Sequence, residues 1–260
     1  MMRSLWIAKS GMEAQQTQMD HISNNLANSS TNGYKRSHAV FEDLMYQTLR
    51  QGGASSSEQT QLPTGLQVGL GVRPVATSRQ FTQGTLTQTE NQLDVAINGD
   101  GFFQITMPDN TTAYTRDGSF HLNKDGKIVT NNGYELQPGF TVPANAKSIT
   151  IANDGTVTAT VSGQTDPQTL GQIQLATFIN PAGLDPKGQN LFAETAASGQ
   201  PQTANPGTDN FGTLSQGFTE SSNVNVVQEL ITMIQSQRVY ELNSKAIQTS
   251  DQMLQRLGQL

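Results

Sequence analysis

Apolar residues recur at both ends of the chain with the step of a helix seam. From Leu5 the intervals alternate between three and four, through Ala8, Met12, Gln15, Met19, Ile22 and Leu26, and only Gln15 is polar. At the far end Val226, Met233, Tyr240, Ile247 and Leu254 fall at seven-residue intervals. This spacing gathers apolar groups on one side of a helix, where they face another helix. It predicts one helix over residues 4–27, with Ser4 as its N-cap and the stretch Asn28-Ser29-Ser30-Thr31-Asn32-Gly33 as its stop. A second helix is predicted over Val224–Leu257, opened by the cap cluster Ser221-Ser222-Asn223. The first turns of that helix are apolar on two faces, with Val226, Leu230, Met233 and Ile234, and so require partners on two sides. The polar positions Gln15, Gln237, Ser244 and Asp251 are expected to make wet contacts along the seams.

Between the helices the pattern changes. A shorter helix-like spacing runs from Ser37 to Arg50 through Val40, Phe41, Leu44, Met45 and Leu49. Gln51 to Gly69 is Gly, Ser, Thr and Gln with little apolar content, and reads either as a flexible linker or as an arm that orders against a neighbour. From Leu70 to about Gly217 short alternating segments are separated by Asn-Gly and Asp-Gly pairs, the strongest short-range hairpin signal. The predicted class is therefore α+β, with discontinuous terminal helices forming a coiled-coil-like pair around an all-β middle domain. The expected domains are 1–27 with 224–260 as a terminal helical domain, 28–90 with 200–223 as a connecting region carrying a polar arm over 46–69, and 91–199 as an outer β domain.

Composition narrows the function classes. Hydrophobic residues make up 34% and charged residues 14%, so most of the chain is neutral and polar, a poor match to an enzyme with a thick aliphatic core. The net charge of −6 comes with no block of Lys or Arg, so the footprint of a nucleic-acid binder is missing. With no cysteine there is no disulfide, thiolate metal site or cysteine nucleophile. His21, His38 and His121 stand apart from one another. Asp94, Asp100, Asp117, Asp125 and Asp154 lie in turn sequences, where Asp caps its own backbone. No catalytic, cofactor-binding or metal-ligating set is expected, and no membrane-spanning segment. The stretch Leu5-Trp6-Ile7-Ala8 ends at Lys9, too short for the core of a secretory signal. Two long seams outside the β domain, too large to cover each other, favour self-association over a purely intramolecular hairpin of the two helices, through Leu5, Ala8, Met12, Met19, Ile22 and Leu26 of the first helix. From the second helix they predict Val226, Leu230, Met233, Ile234, Tyr240, Ile247 and Leu254.

Several motifs resemble those of the bacterial flagellar rod and hook proteins, in the same order and across nearly the whole chain. The N-terminal signature is matched by Asn24-Asn25-Leu26-Ala27-Asn28, Thr31 and Gly33-Tyr34-Lys35-Arg36. The central motif is matched by Leu93-Asp94-Val95-Ala96-Ile97, Gly99-Asp100-Gly101-Phe102-Phe103 and Thr115-Arg116-Asp117-Gly118. Gly217, Glu220-Ser221-Ser222-Asn223-Val224 and Arg238-Val239-Tyr240-Glu241-Leu242-Asn243 match the C-terminal signature. The resemblance implies a structural, non-enzymatic subunit of a helical shaft, a homo-oligomer whose terminal helices line an inner tube with the β domains outside. Length and the polar segment Tyr46–Leu66 favour the distal part of the rod over a hook subunit, with a proximal rod or hook subunit as the alternative in the same class. A rod-associated peptidoglycan hydrolase is the alternative in another class, and it needs a paired-carboxylate or metal site. Implied partners are proximal rod subunits below, hook subunits above, the L and P ring bushing proteins around, and the flagellar type III export apparatus. That route needs no cleaved signal and delivers the chain to a rod crossing the periplasm.

Overall fold

The structure is a computed structural model that describes residues 2–258 except 54, 58, 59, 62, 163–165 and 209. It divides into two compact units. The first holds Met1–Leu26, Ser37–Ser78 and Asn225–Leu260, and the second holds Ala27–Arg36 and Arg79–Val224.

In the first unit, helix α1 spans Met2–Ala27 and helix α2 spans Val226–Gly258. They run antiparallel. The Ser4 and Ser250 hydroxyls lie 3.5 Å apart, and a Cβ added to Gly11 would meet the Asn243 side-chain amide at 2.8 Å. Gly11 thus leaves room for the Asn243 side chain, which an added Cβ would displace. The α1 side of the seam is as the periodicity predicts: Leu5, Met12, Gln15, Met19 and Leu26 are half-buried, and Ala8 and Ile22 are buried. On α2 the covered residues step through Glu229, Met233, Ser236, Asn243, Ile247, Ser250 and Leu254. Gln237 and Asp251, expected as wet seam contacts, are exposed. Gln15 and Ser244, expected with them, are half-buried, and the other polar groups covered on α2 include Glu229, Ser236, Asn243 and Ser250.

The second helix begins two residues later than its cap cluster suggests. Asn225 is the cap: its side-chain oxygen accepts from the Gln228 amide at 3.2 Å, and its carbonyl accepts from the Glu229 amide at 3.0 Å. Asn225→Ala is expected to remove about 1 kcal/mol from the helix pair, read as an earlier loss of far-ultraviolet circular dichroism on heating. An unchanged melting profile would remove Asn225 from the cap.

The helix expected over Ser37–Arg50 does not form. Ser37–Asp43 and Tyr46–Arg50 are strands. Ser37–Asp43 pairs with Val72–Arg79, and Tyr46–Arg50 pairs antiparallel with Leu66–Gly69. In Ser37–Asp43 burial falls on Ser37 and Ala39, a period of two that apolar spacing alone did not show. Asn25 helps fix this edge, since its side chain donates to the Ser37 carbonyl at 2.8 Å and accepts from the Ser37 amide at 3.0 Å. The polar arm is thus a hairpin, continued by a short ladder between Ser55–Ser57 and Thr60–Gln61. Every residue of Tyr46–Arg50 is exposed.

In the second unit, a nine-stranded antiparallel sheet centres on Phe102–Thr106. One edge of that strand pairs with Thr112–Thr115, and the other is shared between Glu135–Leu136 and Leu175–Thr177. Alternation places its residues in two apolar clusters. Phe103 and Ile105 join the larger core with Phe120, Val157 and Leu214, while Phe102 packs with Tyr114, Ala176 and Phe192. Phe103 meets Phe120 edge-to-face at 5.1 Å. The Asn-Gly and Asp-Gly signals work as predicted at Gly133 and Gly155, whose amides close turns onto Thr130 and Ala152. A three-stranded sheet covers Ala146–Ile151, Thr156–Val161 and Gln168–Gln172. Two short ladders then bring the end of the unit back to its start: Thr213–Gln216 pairs with Val95–Asn98, and Phe218–Glu220 pairs with Leu86–Gln88.

Candidate functional site

The motif residues converge in the second unit on a buried charge cluster. Lys35 has no solvent exposure, although lysine is among the residues least often fully buried. Its ammonium donates to Glu220 Oε1 at 2.6 Å and to the Thr82 carbonyl at 2.8 Å. Glu220 Oε1 also accepts the Gly84 amide at 2.8 Å, and Arg116 Nε lies 3.5 Å from Oε2. The Arg116 guanidinium further donates to the Gly99 carbonyl at 2.8 Å. One carboxylate thus faces two cations, all three side chains within 3% exposure. Burial pushes the Lys35 ammonium below the usual lysine value, and Arg116 adds to that while Glu220 opposes it. Burial lowers Arg116 likewise, against Glu220 and Asp100.

The surrounding signature residues are placed by tight backbone contacts. Gly33 adopts φ +70°, and a Cβ there would sit 2.6 Å from the Asp117 amide nitrogen, so both conformation and space demand glycine. Its amide donates to the Glu220 carbonyl at 2.8 Å. Asn223, expected in the helix cap, is instead a clamp. Its oxygen accepts the Arg36 amide at 2.7 Å, and its amide group donates to the carbonyls of Gln80 at 2.8 Å and Thr82 at 3.1 Å. Tyr34 is buried, Asn28 and Thr31 are half-buried and bonded to each other, and Val224 is half-buried. Ala27 is exposed, as is Asn24 in the first unit, where Asn25 is buried. Of the turn aspartates, Asp117 accepts the Ser119 amide at 3.1 Å and Asp154 the Thr156 amide at 3.0 Å, the capping role expected of them.

The first unit offers a different surface. The α1–α2 seam is used within the chain, and α2 keeps a second apolar stripe uncovered. Val226, Val227, Leu230, Ile231 and Ile234 are 40%, 66%, 42%, 46% and 50% exposed. Met233, Ile247 and Leu254 of the expected interface face inward, while Tyr240 sits at the margin, 38% exposed. The sequence predicted two apolar faces in the first turns of α2 but did not say which residues belong to which. It also gave no sign that Lys35, Arg116 and Glu220 would meet. Among the described residues no group of three His, Asp or Glu side chains is placed to hold a metal ion.

Three family descriptions match successive parts of the chain. Residues 5–35 match a flagella basal body rod protein, residues 96–159 the D1 domain of the flagellar hook protein FlgE/F/G, and residues 215–260 the C-terminal part of the flagellar basal body rod FlgEFG protein. The flagellar basal-body rod protein FlgG of Buchnera aphidicola from Acyrthosiphon pisum is 57% identical over 260 residues, covering all of both chains. That of Caulobacter vibrioides is 52% identical over all of this chain and 99% of its own, and that of Bacillus subtilis 40% identical with the same coverage. Each family description takes in one part of the charge cluster or a seam helix: Lys35 and α1, Arg116, and Glu220 with α2. The chain belongs to the flagellar basal-body rod protein family.

Proposed function

We propose that the chain is a structural subunit of the flagellar distal rod, and that copies associate through the open stripe of α2 into a hollow shaft carrying torque from motor to hook. One observation carries the assembly part: five apolar residues in the first turns of α2 remain 40–66% exposed after the helix pair has formed. A run of that kind on one helix face marks an interface. In this reading the terminal helices form the inner tube and the second unit its outer layer. Proximal rod subunits lie below, hook subunits above and the L and P rings around, and export takes the type III route to a rod crossing the periplasm. The role is mechanical and not catalytic. Relatives named as FlgG match end to end, which favours the distal rod over the proximal rod and hook readings.

Substitutions at adjacent residues separate the two faces of α2. Ile234→Asp is expected to stop polymerisation while α1 and α2 still pair, because Ile234 lies on the open stripe. Met233→Asp is expected to disrupt the helix pair itself, since Met233 lies on the covered seam. Polymer yield and far-ultraviolet circular dichroism of the two variants read the difference. Rods of normal length from Ile234→Asp would remove the stripe from the interface.

A further inference from the structure

The second unit has a half-buried arginine that the charge cluster does not use. Arg79 lies between two aromatic faces, with its guanidinium carbon 6.0 Å from the Tyr34 ring centre and 5.5 Å from that of Phe192. Among the described residues these rings are the partners of the guanidinium, and no carboxylate pairs with it. Aromatic contacts on this group occupy none of its N–H donors in hydrogen bonds and leave them for an acceptor.

Arg79 lines a cleft of about 320 Å³ together with Asn28, Tyr34, Gln189, Asn190 and Phe192. One rim is the two-residue turn between the strands Asp185–Gly188 and Leu191–Ala193, and both turn residues are left-handed, Gln189 at φ +56° and Asn190 at φ +59°. Asparagine tolerates that region, whereas glutamine there is uncommon and persists when its surroundings hold it. They do hold it. Gln189 Oε1 accepts from Asn132 at 3.2 Å and from the Tyr134 hydroxyl at 3.2 Å. Asn190 donates to the Asn32 carbonyl at 2.9 Å, and its own carbonyl accepts the Thr115 hydroxyl at 2.8 Å. This rim of the cleft is therefore held in place by four hydrogen bonds, which lowers the ordering cost of association there.

We infer that this cleft is a docking point between copies, in which Arg79 receives an exposed Asp or Glu carboxylate of a second copy of this chain. Charge complementarity selects the occupant. The chain carries 21 acidic against 15 basic residues, so a second copy has carboxylates to spare for an unpaired guanidinium. A planar fork takes a carboxylate through two parallel N–H donors, and arginine stacked on aromatic rings is a frequent hot spot of interfaces. The inference rests on the self-assembly proposed above and adds a specific anchor to it.

Full-length chain carrying Arg79→Glu, Arg79→Gln or Arg79→Lys tests it by polymerisation of the purified protein, alongside Ile234→Asp. Arg79→Gln is expected to raise the critical concentration about ten-fold or more while its monomer melting temperature stays close to the parent's. Arg79→Lys is expected to recover only part of the loss. Arg79→Glu is expected to block assembly and to be rescued in a motility selection by an Asp or Glu changed to Lys or Arg elsewhere in this same chain. Parental polymerisation of Arg79→Glu alongside a blocked Ile234→Asp would overturn the inference and leave the stripe standing. Rescue mapping only to a different protein would overturn it too, as would an Arg79→Gln defect matched by an equal loss of monomer stability. Failure of the parent chain to polymerise under any condition would instead sink the assembly reading itself.

Discussion

Glu220→Leu is expected to destabilise the second unit by about 5 kcal/mol, at the upper end of the 3–5 kcal/mol seen when one partner of a buried ion pair is removed. The reason is the arrangement around this carboxylate. Lys35 and Arg116 both depend on it, and neither has more than 3% exposure through which water could solvate an orphaned charge. Its loss also leaves the Gly84 amide without its acceptor. For a unit of this size about 5 kcal/mol corresponds to a fall of roughly 10–20 °C in melting temperature, measured by calorimetry on the full chain. The triple change Lys35→Met, Arg116→Met and Glu220→Leu is expected to recover much of that loss, because replacing every charge of a buried set by apolar groups of similar volume is often neutral or better. If Glu220→Leu melted within a degree or two of the parent, on the order of 0.5 kcal/mol, the cluster would have no structural weight.

Gly84→Ala is expected to cost about 3 kcal/mol or more, because the overlap it creates is with backbone. A Cβ at residue 84 would lie 1.9 Å from the Ser221 carbonyl oxygen, and no side-chain rotation relieves that. Gly84 also donates to Glu220, and the neighbouring strand Leu86–Gln88 pairs with Phe218–Glu220. Any shift that admits the methyl group therefore moves the carboxylate away from Lys35. The control is Gly258→Ala, where an added Cβ meets nothing within 4 Å; that change is expected to stay within about 0.5 kcal/mol of the parent. Chemical denaturation of the two variants compares them directly, and equal midpoints would remove the backbone clash at Gly84 as a determinant.

The parts of the fold legible in the sequence are those written in local periods. The α1 seam repeats every three or four residues within one helix, so Leu5 to Leu26 could be read without knowing what lay opposite. The strand Ser37–Asp43 could not. Its partner Val72–Arg79 lies beyond an entire hairpin, and its own apolar residues imitate helical spacing. On α2 the heptad was visible, but Gln237 and Asp251 were misplaced on the seam while Ser236, Asn243 and Ser250 were passed over, because they are polar and small. Apolarity marks a seam only where the seam is apolar. The candidate site was half legible: Lys35, Arg116 and Glu220 stood inside recognisable motifs, yet each by itself reads as a surface charge. Only closure of the second unit places a lysine against a glutamate 185 residues away.

That closure has a consequence for the order in which the unit can be completed. Residues 27–36 belong to the second unit but precede a stretch of some forty residues that does not. Their fixings include Glu220 and Asn223, reached through the Gly33 and Arg36 amides. A chain emerging N-terminus first carries this segment without those fixings until almost everything else has arrived. The entropy of joining such distant stretches is also charged before their contacts form, which makes the step late and slow. Residues 217–224 therefore act as a finishing seal: a chain that stops before them can pair the central strands but cannot secure the segment that leads out of α1.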